Sequence, residues 1–426
     1  MDKNKRLTVW LPVIIAASIA LGIFIGNHYL SISQGKKRSY SSGNKINAIL
    51  DIIDEQYVDT VSMSKLVEST IPKIFSELDP HSVYIPAEDA SVVNEELEGS
   101  FSGIGVSFNM QTDTILVISV ISGGPAEKAG LLPFDRIISI NDSIFSGKKK
   151  NQGEIMKTLR GAKNSTVKLG VQRGNSPELL YFDVTRGDVP VNSVDVSYEA
   201  AKGIGYIKVS KFARNTYNEF ITAIAKLKQA GCTSFVIDLR GNTGGYMDAA
   251  INMINEFMPE GRLIVYTEGK SFPRSDVYAN GTGTCKDAPI VVLTDEISAS
   301  ASEIFSGAIQ DNDRGTIIGR RTYGKGLVQT QMSLSDGSEM RLTIARYYTP
   351  SGRCIQKKYE MGNTDAYDQD IYNRYMHGEF DSADSIKMDD SLKYQTVGGR
   401  TVYGGGGIMP DIFIPVSYTH LTLPTN

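Results

Sequence analysis

The rhythm of apolar and polar positions changes repeatedly along the chain, and each change marks a segment. Residues 7–25 are almost wholly apolar and follow a flank that carries Lys3, Lys5 and Arg6. That run is about long enough to cross a bilayer, and the basic flank predicts residues 1–6 in the cytoplasm with everything beyond the run exported. Lys36, Lys37 and Arg38 on the far side weaken the charge rule somewhat. With no A-x-A site after the run, the reading is an uncleaved signal-anchor over 7–26 and a polar linker over 27–44. Over 45–99 the spacing of Ile46, Ile49, Leu50 and Ile53, and then of Leu66, Ile71, Ile74 and Phe75, is helical. Leu78-Asp79-Pro80-His81-Ser82 interrupts it, and Pro80 and Pro86 mark a turn there.

Residues 100–187 alternate instead like strands, at 115–121, 136–140, 167–172 and 180–184, with one helix at 152–159. Gly123-Gly124-Pro125-Ala126-Glu127-Lys128-Ala129-Gly130-Leu131 reads as a turn, a short helix and a glycine stop. Together with the loop Gly103-Ile104-Gly105-Val106 and the following D-R-I-I-S-I-N-D, this unit resembles a PDZ domain. Such a loop turns consecutive N–H groups toward a peptide's terminal carboxylate while the peptide adds a strand to the sheet edge. Apolar residues of the 152–159 helix are then expected to receive the last side chain.

From 188 to 416 strands (203–209, 234–239, 263–267, 290–293, 316–318) alternate with helices (215–230, 246–257, 303–309), which predicts α/β layers. A hairpin follows over 327–348 around Ser335-Asp336-Gly337, and a last strand over 412–416. Residues 357–395 are charged and aromatic without clear period and read as a long surface insertion. Residues 417–426 break with the style of the chain and read as a non-native tail.

With 426 residues there is room for two or three domains, and a net charge of −4 calls for no nucleic acid. The three cysteines have no metal-site spacing, and nothing calls for a cofactor or a metal. Of four histidines, His28 borders the apolar run and His420 lies in the tail, so a Ser-His-Asp triad or a zinc site would rest on His81 or His377. A serine enzyme with a lysine base escapes that difficulty.

Ser298-Ala299-Ser300-Ala301-Ser302-Glu303 stands between a strand at 289–293 and the helix at 303–309. A serine there has its hydroxyl beside the free N–H groups of a helix start, where an acyl-transfer enzyme needs its nucleophile. The plain alternative is a capping box, Ser300 with Glu303. Gly319-Arg320-Arg321-Thr322-Tyr323-Gly324-Lys325 fits a phosphate-binding G-x4-G-K, but Gly326 replaces the magnesium-binding hydroxyl and a strand follows where a helix should. Lys325 reads better as a base whose ammonium form is disfavoured by an apolar setting, with Gln329 on the same strand face to orient it. A solvated surface lysine is the plain alternative, and His81, set in a turn, reads as a structural hydrogen-bonder before it reads as a base.

In combination, S-A-S-A-S-E, G-K-G-L-V-Q, D-P-H-S-V-Y, G-Y-I-K-V-S-K-F, D-L-R-G-N-T-G-G and Y-Y-T-P-S-G-R-C-I-Q resemble the carboxy-terminal processing peptidases, or tail-specific proteases. The resemblance covers most of the chain. It implies a crotonase/ClpP-like α/β protease core, an inserted PDZ domain (β-rich with two helices) and an N-terminal helical region. It implies Ser300 as nucleophile, Lys325 as general base, Gln329 as its support, and oxyanion N–H groups from Ala301 and the Gly244-Gly245 turn. Expected partners are proteins or peptides with free C-termini, captured through Gly103, Ile104, Gly105 and Val106, together with an inner membrane that holds the anchor on the periplasmic side of a bacterial envelope. The long insertion and the unusual end leave a homo-oligomer or a regulatory partner open. Two other readings stand beside this one: an inactive envelope PDZ adaptor with a protease-like core, and a Ser300/His81 enzyme that tolerates loss of Lys325.

Overall fold

Short apolar strands that need cover on both faces set the layout of the C-terminal half. The structure is a computed structural model that describes residues 16–23, 42–111, 114–144, 152–176 and 178–416. The chain divides into two units, residues 1–70 and 71–426. In the first, residues 16–23 are helical and Ser42–Gln56 forms a helix; a further helix is Met63–Phe75. The rest of the anchor expected over 7–26, most of the linker and the tail 417–426 lie outside the described residues. Among the described residues no helix is long and apolar enough to cross a membrane.

In the second unit a six-stranded sheet runs in the order Val194–Ala201, Ile204–Val209, Ser234–Asp238, Ile290–Thr294, Thr316–Gly319, Ile412–Phe413. Its first pair is antiparallel and the others are parallel. Parallel neighbours require crossovers, and the helices Thr216–Gln229, Met247–Asn255 and Ala301–Asp311 supply them. Phe257 meets Phe220, Phe235 and Phe305 edge-on, with ring centroids 6.2–6.4 Å apart. Helix Ala301–Asp311 is buried along its whole length, and Gly307 lets Thr349 close in: a Cβ there would stand 2.7 Å from the threonine methyl. A second, antiparallel sheet contains Val83–Ile85, Glu339–Tyr348, Leu263–Glu268 and Ser275–Tyr278, with Leu327–Ser333 also paired to Glu339–Tyr348. It ties the turn at Asp79 to the hairpin that follows Lys325.

Residues 106–185 form a sheet in the order Val106–Gln111, Thr114–Val120, Arg136–Ile140, Thr166–Gln172, Leu180–Thr185, with helices Pro125–Ala129 and Gln152–Leu159. It has its own core, including Ile115, Val117, Ile137, Val167 and Leu169. The strand that enters this unit, Ser100–Gly103, pairs antiparallel with the strand that leaves it, Gly187–Pro190. Ends held side by side let a domain sit inside another without disturbing its core.

Residues 357–395 differ from the expected surface insertion. They contain the helix Thr364–Met376, whose Tyr367 and Arg374 are buried, and the strand Lys393–Gln395 pairs with Thr401–Tyr403. Arg374 donates to the carbonyls of Thr322 (3.0 Å) and Arg321 (2.7 Å), so the segment braces the loop before Lys325. Its inward helix positions include an arginine and a tyrosine seven residues apart, so the buried face does not read as an apolar period. Nearby, Arg353 and Asp311 form a fully buried ion pair at 2.7 Å. Arg353→Ala strands the carboxylate and should cost about 3–5 kcal/mol in urea unfolding, most of it recovered when Arg353→Met is combined with Asp311→Leu.

Candidate active site

The turn between strand Ile290–Thr294 and helix Ala301–Asp311 carries three serines with different work. Ser298 Oγ donates to the Leu239 carbonyl (2.8 Å) and Ser302 Oγ to the Asn242 carbonyl (2.9 Å), both in the glycine-rich turn after strand Ser234–Asp238. The outer hydroxyls are therefore anchors. Ser300 lines a cleft of about 450 Å³ together with Lys325, Gln329, Gly244 and Gly245. It stands at the N-cap with φ +54° and ψ −112°, whereas an ordinary N-cap lies in the β region. A non-glycine residue held there costs on the order of 1–3 kcal/mol and persists only where its surroundings over-determine it.

Glu303 is the main part of those surroundings. Its carboxylate is wholly buried and accepts from Ser300 N (2.8 Å), Lys325 N (2.8 Å), Gly324 N (2.7 Å) and Thr322 Oγ1 (2.5 Å). Burial pushes its pKa up and these donors pull it back. The capping box of the sequence is thus half of a clamp whose other half is the lysine loop. Tyr347 adds a second tie: its hydroxyl lies against the carbonyls of both Ser300 (3.1 Å) and Lys325. Nothing in the spacing of the sequence pointed to Tyr347.

Lys325 Nζ donates to Gln329 Oε1 at 3.0 Å, as expected for two residues on one strand face. The Gln329 amide is fixed from its other end, where Nε2 donates to the His81 carbonyl. That carbonyl is placed by the turn: Asp79 accepts from His81 N (3.0 Å), Ser82 N (3.2 Å) and Thr343 Oγ1 (2.9 Å). The Lys325 pKa is lowered, first by burial and next by the charge of Arg341, while Glu303 and Asp79 pull it the other way. No hydrogen bond joins Lys325 Nζ to Ser300 Oγ in this conformation; catalytic contacts are often long without substrate. The His81 ring points elsewhere, with Nε2 2.9 Å from the Tyr367 hydroxyl, and burial and then the Lys325 charge lower its pKa to about 4. Such a ring is a poor base near neutrality. Strand Leu327–Ser333 begins two residues after Lys325, which removes the phosphate-loop reading along with the helix it needs.

The oxyanion group changes by one member. The Gly244 N–H is already donated to Asn242 Oδ1 at 2.8 Å, which takes Gly244 out of the expected set. Its φ of +102° and a Cβ site 2.8 Å from Ser300 Cβ show what this glycine provides instead, close approach to the serine turn. The N–H groups of Gly245 and Ala301 make no hydrogen bond within the described residues. In the PDZ unit the amides of Ile104 and Gly105 are likewise unspent, and Gly105 has φ +77°. Gly103 ends its strand opposite Gly187, Val106 opens the next strand opposite Val120, and the Ile104 side chain packs into the core. On helix Gln152–Leu159, Ile155 and Leu159 are core residues, so of its large apolar side chains only Met156 is exposed to meet a ligand.

A lysine with a lowered pKa supplies its neutral form at lower pH than usual, so kcat/KM on a tailed peptide should rise with pH through a limb below the ordinary lysine range. Because the folded state binds fewer protons there than the unfolded one, stability rises with pH across the same window, and the penalty is full below the folded pKa. Lys325→Met removes that penalty: cleavage should fall about a thousandfold while the urea midpoint holds or rises. A clear loss of stability would contradict the desolvated lysine. His81→Ala should leave cleavage within roughly tenfold, because Gln329 is held by a main-chain carbonyl that any residue supplies.

Residues 203–365 match the model of peptidase family S41, and residues 102–195 match the PDZ domain. The chain is 35% identical over 318 residues to "Carboxy-terminal processing protease CtpB" of Bacillus subtilis, covering 74% of this chain and 66% of that protein. It is 33% identical over 365 residues to "Probable CtpA-like serine protease" of Staphylococcus aureus (strain N315), covering 84% of this chain and 72% of the relative. Among solved structures it is similar to a photosystem II D1 C-terminal processing protease, with 24% identity, 88% and 93% of the two chains covered, and a TM-score of 0.42. By sequence and by the matched segments, the chain belongs to peptidase family S41, the carboxy-terminal processing serine proteases, and carries that family's core together with a PDZ domain.

Proposed function

We propose that this protein is an endopeptidase that captures the free C-terminus of protein substrates in its PDZ unit and cuts them with a Ser300–Lys325 dyad. The observation that carries this is the meeting, in one cleft, of a serine held at positive φ on a helix start and a lysine with a lowered pKa. Neutral Lys325 takes the Ser300 proton as Oγ bonds to the substrate carbonyl carbon. The carbonyl oxygen becomes an oxyanion facing the N–H groups of Gly245 and Ala301. As that intermediate collapses, the C–N bond breaks, the lysine proton passes to the leaving amine, and an ester to Ser300 remains. A water that gives a proton to Lys325 then attacks the ester and frees serine and acid. Gln329 keeps the amine aimed throughout.

The free amides of Ile104 and Gly105 suit a terminal carboxylate, and Met156 suits an apolar last side chain. Residues 7–25 and the basic residues before them support a place in a bacterial envelope, tethered at the inner membrane with the catalytic part in the periplasm. The missing Ser300–Lys325 hydrogen bond favours a second reading, in which the protein binds tails without cutting them.

An unfolded reporter with an apolar tail, as free acid and as amide, decides between them. Wild type should cleave the free acid, and amidation should raise KM more than it lowers kcat. Ser300→Ala and Lys325→Ala, both folded by circular dichroism, should each lose about a thousandfold or more. Binding without cleavage by wild type would favour the adaptor reading, and cleavage retained in Lys325→Ala would move the base elsewhere.

A further inference from the structure

A second cavity, of about 200 Å³, lies behind the segment that carries Lys325, walled in part by Arg321, Lys357, Lys358, Arg374 and Gly406. No residue lines both this cavity and the Ser300 cleft. A Cβ on Gly324 would stand 3.1 Å from both Gly407 N and Lys357 Cβ.

Four cations, Arg321, Lys357, Lys358 and Arg374, converge on this cavity, and Asp370 is its one acidic lining residue. The guanidinium groups of Arg321 and Arg374 share a single carboxylate oxygen, Oε2 of Glu379, at 2.7 and 3.2 Å. Lys357 takes Asp370 at 3.2 Å, and Lys358 stands at the exposed rim with Asp389 in electrostatic reach. The two guanidinium groups thus share one direct ion-pair partner, with Asp370 acting on Arg321 from farther off. Burial lowers the Arg321 pKa, and the Arg374 charge lowers it further. Buried cations are normally paired one to one, whereas here two share one carboxylate oxygen.

Hydrogen-bond donors are in surplus at the same place. Arg321 Nε is buried and without a hydrogen-bond partner. In the glycine run beside it, the amides of Gly404, Gly405 and Gly407 are given to the carbonyls of Leu392, Cys354 and Ile355. The Gly406 amide is given to none, and a Cβ on Gly406 would stand 3.2 Å from Arg321 Nη1. A glycine that lets a guanidinium approach its main chain, beside a further cation, is a cradle for an oxyanion. The glycine-rich segment that fails as a nucleotide loop at Lys325 supplies the arginine of a different anion site.

We propose that this cavity binds a tetrahedral oxyanion, phosphate or sulfate, between Arg321, Lys358 and the main-chain N–H of Gly406. The full chain carrying Ser300→Ala, which prevents self-digestion, is melted in sodium phosphate and in sodium chloride at matched pH and ionic strength. Phosphate should raise the Tm saturably by roughly 2–4 °C, sulfate should do the same, and chloride should not. Lys358→Gln, at an exposed position, should raise the half-saturating phosphate concentration roughly tenfold, and Arg321→Gln should remove the response. A chloride response equal to that of phosphate, or a phosphate response unchanged in Lys358→Gln, would overturn the assignment whatever the fate of Arg321→Gln.

Discussion

One buried carboxylate holds the catalytic face together. Glu303 sits in the first turn of a helix with no solvent-exposed side, and its two oxygens accept hydrogen bonds from the amides of Ser300, Gly324 and Lys325 and from the Thr322 hydroxyl. A charge that deep persists only if its acceptor positions are filled. The requirement works in both directions: the donors stabilise the carboxylate, and the carboxylate fixes the distance between two main-chain segments 25 residues apart in sequence. Tyr347, from the second sheet, repeats the link on the carbonyl side. Serine and lysine are therefore positioned through their backbones, which leaves the side chains free to meet in the cleft.

Around that clamp each conserved-looking phrase of the sequence has a mechanical part. The D-P-H-S turn presents one carbonyl to Gln329, and Asp79 stitches the turn to the neighbouring strand. The D-L-R-G-N-T-G-G turn receives Ser298 and Ser302, and Asn242 spends its side chain on Gly244 and Val209. Asp238, at the head of that turn, is wholly buried between Tyr206 (2.6 Å) and the Arg240 guanidinium. Among the described residues the amides of Gly245 and Ala301 are left unspent beside the serine turn, the pair proposed above to face the oxyanion.

The α/β alternation, the PDZ unit and the strand face shared by Lys325 and Gln329 were legible because each rests on a local period or a short motif. The helix start at Ser300 was legible as position but not as conformation: φ +54° is held by Glu303, itself tied to residues 322–325, and by Tyr347, and those distant partners lie outside any window around the serine. The double use of Glu303 was hidden for the same reason, since a capping box accounts for the residue locally and ends the search. Gly244 was misassigned because a glycine in a tight turn looks alike whether its amide is free or taken by Asn242. The stretch 357–395 gave no period because the inward face of its helix carries Tyr367 and Arg374, seven residues apart, and a face built of polar and charged side chains does not read as an apolar stripe.

The backbone of Ser300 carries one more implication, about what could stand in its place. At that φ a β-branched side chain is badly strained, so threonine, with the same hydroxyl, is no substitute. Glycine would relax the turn, and a drift toward stability alone would replace the serine with it. The structural use of the hydroxyl is its half of the capping box, which glycine gives up at a cost of only about a few tenths of a kcal/mol. In a lineage that had given up the chemistry, this position would be among the first to change, and Glu303 and Tyr347 would be left holding an empty turn.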